Sequence, residues 1–196
     1  MTEKMCKEEI RESDDVRKGF IKGITFVSKP VEYTVVNGLA VFEGDIVLGT
    51  ATEMANISGD IQAAADAEAR GTVEAPEGVE FGVGITGERF RWPHCLVPYS
   101  IDSGLPNQRR VTDAISHWQQ KTRIRFVHRT TSNANSYPNY INFIPSDGCW
   151  SYVGMRGGKQ EIGLASGCGT GSTIHEIGHA IGLWHEQSRE DRNNFV

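Results

Sequence analysis

Hydrophobic and polar positions alternate along the first part of the chain. In "GITFVSKPVEYTVV", residues 23 to 36, apolar side chains fall at Ile24, Phe26, Val31, Tyr33 and Val35, close to the period of two that lines one face of a strand. Asn37-Gly38 follows, and then "LAVFEGDIVLG". An Asn-Gly pair between two such runs predicts a β-hairpin, here after the charged lead "MTEKMCKEEIRESDDVRKG". Residues 55 to 80, "ANISGDIQAAADAEARGTVEAPEGVE", are rich in Ala, Glu and Gly. Little in that stretch offsets the entropy of ordering it, so it reads as a linker with at most a frayed helical turn.

A second pattern begins near Arg91. "RWPHCLVPYSI" reads as a strand, restricted by Pro93 and Pro98 to an edge or to its ends. "NQRRVTDAISHWQQKT" then brings Val111, Ile115 and Trp118 to helical spacing with Ala114 beside them. "RIRFVHRT", "YINFIP" and "QEIGLAS" read as short strands, separated by the polar "TSNANSYPN" and the glycine-rich "SDGCWSYVGMRGGK". Strand, helix, strands and a last helix suggest an α+β fold, a mixed sheet with two helices packed on it. The boundary between the two regions falls within 71 to 90.

The chain has 196 residues and a formal net charge of −5, with no Lys/Arg cluster. That gives no electrostatic footprint for nucleic acid or an anionic membrane, and neither partner is expected. No apolar run reaches the ~18 residues of a membrane span, and the charged amino terminus shows no signal peptide. Four cysteines are too few for a disulfide scaffold. By spacing alone, Cys149 and Cys168 either close a short loop worth ~3 kcal/mol or remain two buried thiols.

The candidate chemistry lies in "STIHEIGHAIGLWHEQSRED", residues 172 to 191. On a helix His175 and His179 are about 40° apart in rotation and about 6 Å apart along the axis, so both imidazoles can meet one ion. Ile174, Ile177 and Ile181 take a separate face, leaving the helix a side to bury. In a continuing helix His185 would lie about 15 Å from His175, far beyond a zinc arm of ~2.1 Å. The helix must therefore stop, and Gly182 is the residue that can stop it, because glycine accepts the left-handed conformation that ends helices. Three histidines leave zinc an open position, the mark of a catalytic site. Glu176 suits a base acting on water rather than a fourth ligand. The spacing H-E-x-x-H-x-x-G-x-x-H is the metzincin signature. His94, His117 and His128 stand singly and are left out of the site.

The residues after the third histidine narrow the family. "HEIGHAIGLWHEQSREDRNNFV", with Glu186, Arg189, Asp191 and Arg192, resembles the astacin family of zinc metalloendopeptidases. The likeness extends upstream through "RWPHCLVPYSI", "AISHWQQKTRIRFVHRT" and "CWSYVGMRGGKQEIGLASGC", covering about residues 83 to 196. It implies one Zn²⁺ per chain on His175, His179 and His185, Glu176 as general base, a protein or peptide substrate, secretion, and a Cys149–Cys168 disulfide. It also implies that "KQEIGLAS" is the edge strand on which a peptide lies antiparallel. Arg123 stands where many members have a cysteine, and Cys6 and Cys95 have no assigned counterpart. "FEGDI", with Phe42, Gly44 and Asp45, resembles the family's propeptide motif F-x-G-D, in which the aspartate binds zinc and keeps water out. Read from residues alone, Glu-Gly-Asp after a strand is an ordinary turn, and Cys6 is a second candidate blocker.

By this resemblance residues 1–82 are a propeptide, mainly β and irregular, and 83–196 are the upper lobe of a metzincin-like catalytic domain. Cleavage near residues 80 to 85 would free the lobe and let its new amino terminus pair with Glu186. Family members continue into a lower lobe with a Met-turn and a tyrosine, so the chain is expected to be truncated. The expected function is a latent zinc metalloendopeptidase. The alternative is a catalytically incomplete, non-catalytic zinc-binding module.

Overall fold

A computed structural model of the chain describes residues 13–21, 29–56 and 88–188. Cys6, residues 23–28, most of the linker, the expected cleavage region, Arg189, Asp191 and Arg192 lie outside them. Among the described residues no helix is long and apolar enough to cross a membrane.

The fold is α+β. The amino-terminal region is an antiparallel meander of β1 (Val16–Ile21), β2 (Lys29–Val36), β3 (Leu39–Phe42) and β4 (Ile46–Thr50). The Asn-Gly pair makes the expected hairpin turn, with Val36 opposite Leu39. The charged lead ends in a strand that alternation did not reveal. β1 sits at the sheet's edge, where Arg17 pairs with Asp15 at 2.7 Å and Lys18 faces Glu32 across the ladder. Charge on an edge strand discourages further pairing, and it also hides the strand from a hydrophobicity reading.

The second region contributes β5 (Leu96–Ile101), α1 (Arg109–Lys121), β6 (Arg125–His128), β7 (Tyr140–Pro145), β8 (Trp150–Tyr152), β9 (Lys159–Leu164) and α2 (Thr170–Ala180). Among the described residues nine strands join one mixed sheet in the order β1-β2-β3-β4-β8-β9-β7-β5-β6. Two sequence expectations are corrected here. β5 is internal: β6 pairs with Leu96 to Tyr99 and β7 with Tyr99 to Ile101, so Pro98 has a registered partner on one side only and its missing N–H is tolerated. β9 is internal too. The glycine-rich stretch read as a connector contains β8, which pairs antiparallel with β9, while β7 holds the other side of β9 in parallel. Toward the meander, the edge of this region is therefore β8, and β4 runs parallel along it.

Two hydrophobic clusters underlie the sheet. The larger gathers Val97, Val111, Ala114, Ile141, Phe143, Ile162 and Ile177, uniting both helices with the second region's strands. The smaller holds Val31, Tyr33, Ala40, Ile46, Leu48 and Met54, and takes Val153 and Trp184 from the second region. Three polar side chains then fix α2 against the rest. Trp92 Nε1 donates to Ala180 O at 2.8 Å, satisfying a carbonyl at the helix end, and Trp118 Nε1 donates to Ile174 O at 3.0 Å. Arg110, buried on the apolar face of α1, donates to the carbonyls of Ala165 and Cys168 in the loop that enters α2. Cys149 and Cys168 are joined by a disulfide that ties the same loop to β8.

Trp150 lies across β9 on Gly163, its register partner, and a Cβ at 163 would collide with the indole ring. Gly163→Val is expected to displace Trp150 and cost about 1–3 kcal/mol. Gly171→Ala, in open space on α2, should be neutral or stabilise by up to about 1 kcal/mol. Urea unfolding of the two variants checks this, and equal midpoints would remove the role given to Gly163.

Candidate metal centre

Helix α2 presents two faces. Ile177 is fully buried, with Ile174 and Ile181 packed beside it, while His175 and His179 project together with ring centroids 4.6 Å apart. The helix ends where expected. Gly182 takes φ 114°, its N–H bonds to His179 O at 2.8 Å, and Leu183 N–H bonds to Gly178 O at 3.0 Å. That pair of bonds is a Schellman cap, which satisfies the last carbonyls and reverses the chain. His185 consequently returns to the other two rings, with centroids 5.2 Å from His175 and 4.9 Å from His179.

A fourth donor arrives from the amino-terminal region. The loop between β3 and β4 turns through Glu43 (φ 53°) and Gly44 (φ 93°) and points its tip at the three imidazoles. Asp45 Oδ2 stands 3.2 Å from Nε2 of His175 and of His185, and 3.9 Å from Nε2 of His179. Two contacts hold the tip in place. Phe42 meets Trp184 edge-on at 6.2 Å, and Ser151 N–H donates to Asp45 O at 3.0 Å.

Nε2 of His175 lies 3.0 Å from that of His179 and 3.2 Å from that of His185. His179 donates Nδ1–H to Leu183 O at 2.7 Å, and His185 directs Nδ1 at Glu43 Oε2, 2.6 Å away. These partners occupy Nδ1 of both rings and leave Nε2 to face Asp45 around one point, the arrangement of metal-bound imidazoles. A shared cation reconciles such an arrangement. A tetrahedron with zinc arms of about 2.0–2.1 Å has edges of about 3.3–3.4 Å, close to the measured 3.0–3.9 Å. The donor set fits zinc. Burial opposes charge on Asp45, but its hydrogen bonds with the three histidines outweigh it and hold the carboxyl well below the usual carboxylate range. Burial likewise opposes charge on His185, while Asp45 and Glu43 raise its affinity for a proton.

Residues 84–196 match the family model of the astacin peptidases. The chain belongs to the astacin family. Blastula protease 10 of Paracentrotus lividus is 42% identical over 114 residues, covering 56% of this chain and 19% of that protein. Zinc metalloproteinase nas-36 of Brugia malayi is 34% identical over 168 residues, covering 79% of this chain and 28% of that protein. The second alignment is longer than the astacin match and so reaches into the amino-terminal region. The chain spans less than a third of either relative. Among solved structures, high choriolytic enzyme 1, a hatching enzyme zinc-protease from Oryzias latipes, aligns at 33% identity with a TM-score of 0.46, covering 53% of this chain and 52% of that one. Zinc is the cofactor of astacin-family metalloproteinases.

Glu176, the residue after the first histidine, is buried at 1% exposure. Glu186 opens a short 3-10 turn and is exposed. His94, His117 and His128 lie outside the cluster, and Cys95 is an exposed free thiol. Glu43 was not among the sequence candidates. No spacing rule marks it, since only the folded loop brings it to His185.

His179→Ala should cost most of the zinc affinity, because it leaves two imidazoles and no rigid third arm. Gly182→Ala should cost about 1–3 kcal/mol of strain and weaken zinc binding as His185 moves away. Metal analysis after dialysis checks both. Stoichiometric zinc on the His179 variant would remove that residue from the site.

Proposed function

We propose that the chain carries the zinc-binding upper lobe of a metalloendopeptidase, residues 83–196, held latent by a propeptide in residues 1–82. The observation that supports this best is the convergence of Asp45 with His175, His179 and His185, two regions about 130 residues apart meeting at one point. Asp45 takes the position that substrate chemistry needs open, and its carboxylate keeps water from it.

Zinc bound there would polarise a peptide carbonyl and make water a better nucleophile. The protein's own residues do the rest. Glu176, buried and adjacent to His175 in sequence, accepts a proton from the attacking water and delivers it to the leaving amine. The β8 edge supplies main-chain hydrogen bonds to an extended substrate whatever its side chains. In this chain β4 covers that edge, pairing Ile46 with Ser151 and Val47 with Tyr152. Latency on this reading has two parts, a carboxylate on the metal site and a strand along the substrate edge. The Cys149–Cys168 disulfide supports secretion, since such bonds persist in oxidising compartments.

The test is hydrolysis of a quenched peptide by the uncut full-length protein. Wild type should be silent, and Asp45→Ala should show activity without cleavage in the linker, though less than linker cleavage yields, because β4 still covers the substrate edge. Glu176→Ala added to Asp45→Ala should abolish that activity while retaining zinc. Silence of the Asp45 variant, with activity only after linker cleavage, would mean that the segment blocks by bulk. Activity appearing only in Cys6→Ala would assign the switch to the thiol. A full-length protein inactive after every treatment would favour a non-catalytic zinc-binding module.

A further inference from the structure

The hairpin tip carries two carboxylates. Asp45 faces the Nε2 atoms, where a metal ligand belongs. Glu43 reaches past it to the far nitrogen of His185, with Oε2 2.6 Å from Nδ1. His185 is 7% exposed and the Glu43 side chain 29%, so the contact is partly shielded from water. An ionised carboxylate only accepts hydrogen bonds, so Nδ1 must carry a proton, and Nε2 is the nitrogen left for a metal.

The three histidines differ in what orients them. His179 is oriented from within its own motif by Leu183 O at 2.7 Å, a partner supplied by the Gly182 reversal. His185 follows that reversal, outside α2 and just before the short turn at Glu186, and its orienting partner comes from a different region of the chain. A carboxylate behind a ligating imidazole fixes the tautomer and raises the basicity of the nitrogen that meets the metal. Placed there, Glu43 strengthens the arm whose backbone constrains it least.

We propose that Glu43 is a positioning residue for the third metal ligand, so that the amino-terminal hairpin helps to assemble the zinc site that it also blocks. This rests on the reading of Asp45 and the three histidines as the zinc site. It adds to what Asp45 contributes as a ligand: Glu43 separately tightens zinc binding while the hairpin is docked, and metal loading is favoured before activation.

The experiment is a zinc competition titration of the whole chain against a chromogenic chelator, using wild type, Glu43→Ala, Glu43→Gln and Asp45→Ala. Thermal unfolding of each metal-free chain serves as the folding control. Long-range ¹H–¹⁵N spectra of the His185 ring, zinc loaded, report which nitrogen holds the proton. Glu43→Ala is expected to weaken zinc binding by about 10- to 100-fold. Glu43→Gln, which keeps an acceptor and loses the charge, should fall between it and wild type. The wild-type His185 ring should show a protonated, hydrogen-bonded Nδ1, with the signal altered in Glu43→Ala. Unchanged affinity and an unchanged ring signal in both Glu43 variants would overturn the assignment, as would a His185 protonated on Nε2. A loss of affinity in Asp45→Ala alone would overturn the Glu43 role and leave the blocking role standing. A wild-type chain that takes up no zinc would overturn both.

Discussion

The reversal of the chain at Gly182 is the constraint on which the site depends. A straight helix can bring two imidazoles to one point but not a third. The Schellman cap ends α2 within one residue of its last helical turn and sends the backbone back over its own end. The same bend places Leu183 O against His179 Nδ1, so the turn that delivers the third ring also orients the second. A residue with a Cβ would strain this conformation, and strain here would move donor atoms that must agree to within tenths of an ångström.

Holding α2 still is a separate task, shared by elements distant in sequence. Trp92 and Trp118 donate to its carbonyls, Arg110 gathers the carbonyls of the loop before it, and the disulfide ties that loop to β8. The ligand-bearing helix is thus fixed at its end, along its length and at its entry. The amino-terminal region is attached more lightly. It has its own small core and reaches the rest through the short β4–β8 pairing, the packing of Val153 and Trp184, an Asn37–Asp147 hydrogen bond and the carboxylates of the hairpin tip. A segment with its own core and limited contacts to the rest is consistent with the departing propeptide proposed for it.

The strand readings show where periodicity works and where it fails. The hairpin around Asn37-Gly38, the helix from Arg109 and the strands at Arg125, Tyr140 and Lys159 all follow from local pattern. β1 and β8 do not, because one is charged along an exposed edge and the other is three residues long within a glycine-rich stretch. Missing β8 had a larger consequence than its length suggests. Without it β9 is the natural edge strand. With it β9 is internal, and the edge belongs to the strand that β4 covers.

Much of the site was legible because its chemistry is local. The spacing of His175, Glu176, His179, Gly182 and His185 determines which side chains share a helix face and where that helix must break, since helical geometry is the same in every protein. "FEGDI" marked Asp45 only through resemblance, since a turn of that composition has no fixed destination. Sequence could not say that β4 would lie parallel to β8, that Arg110 would be buried among carbonyls, or that Glu43 would stand behind His185. Each depends on pairing between residues tens to more than a hundred positions apart. Local spacing selects rotations about one axis, whereas strand order and loop docking are decided by which surfaces the whole chain can bury together.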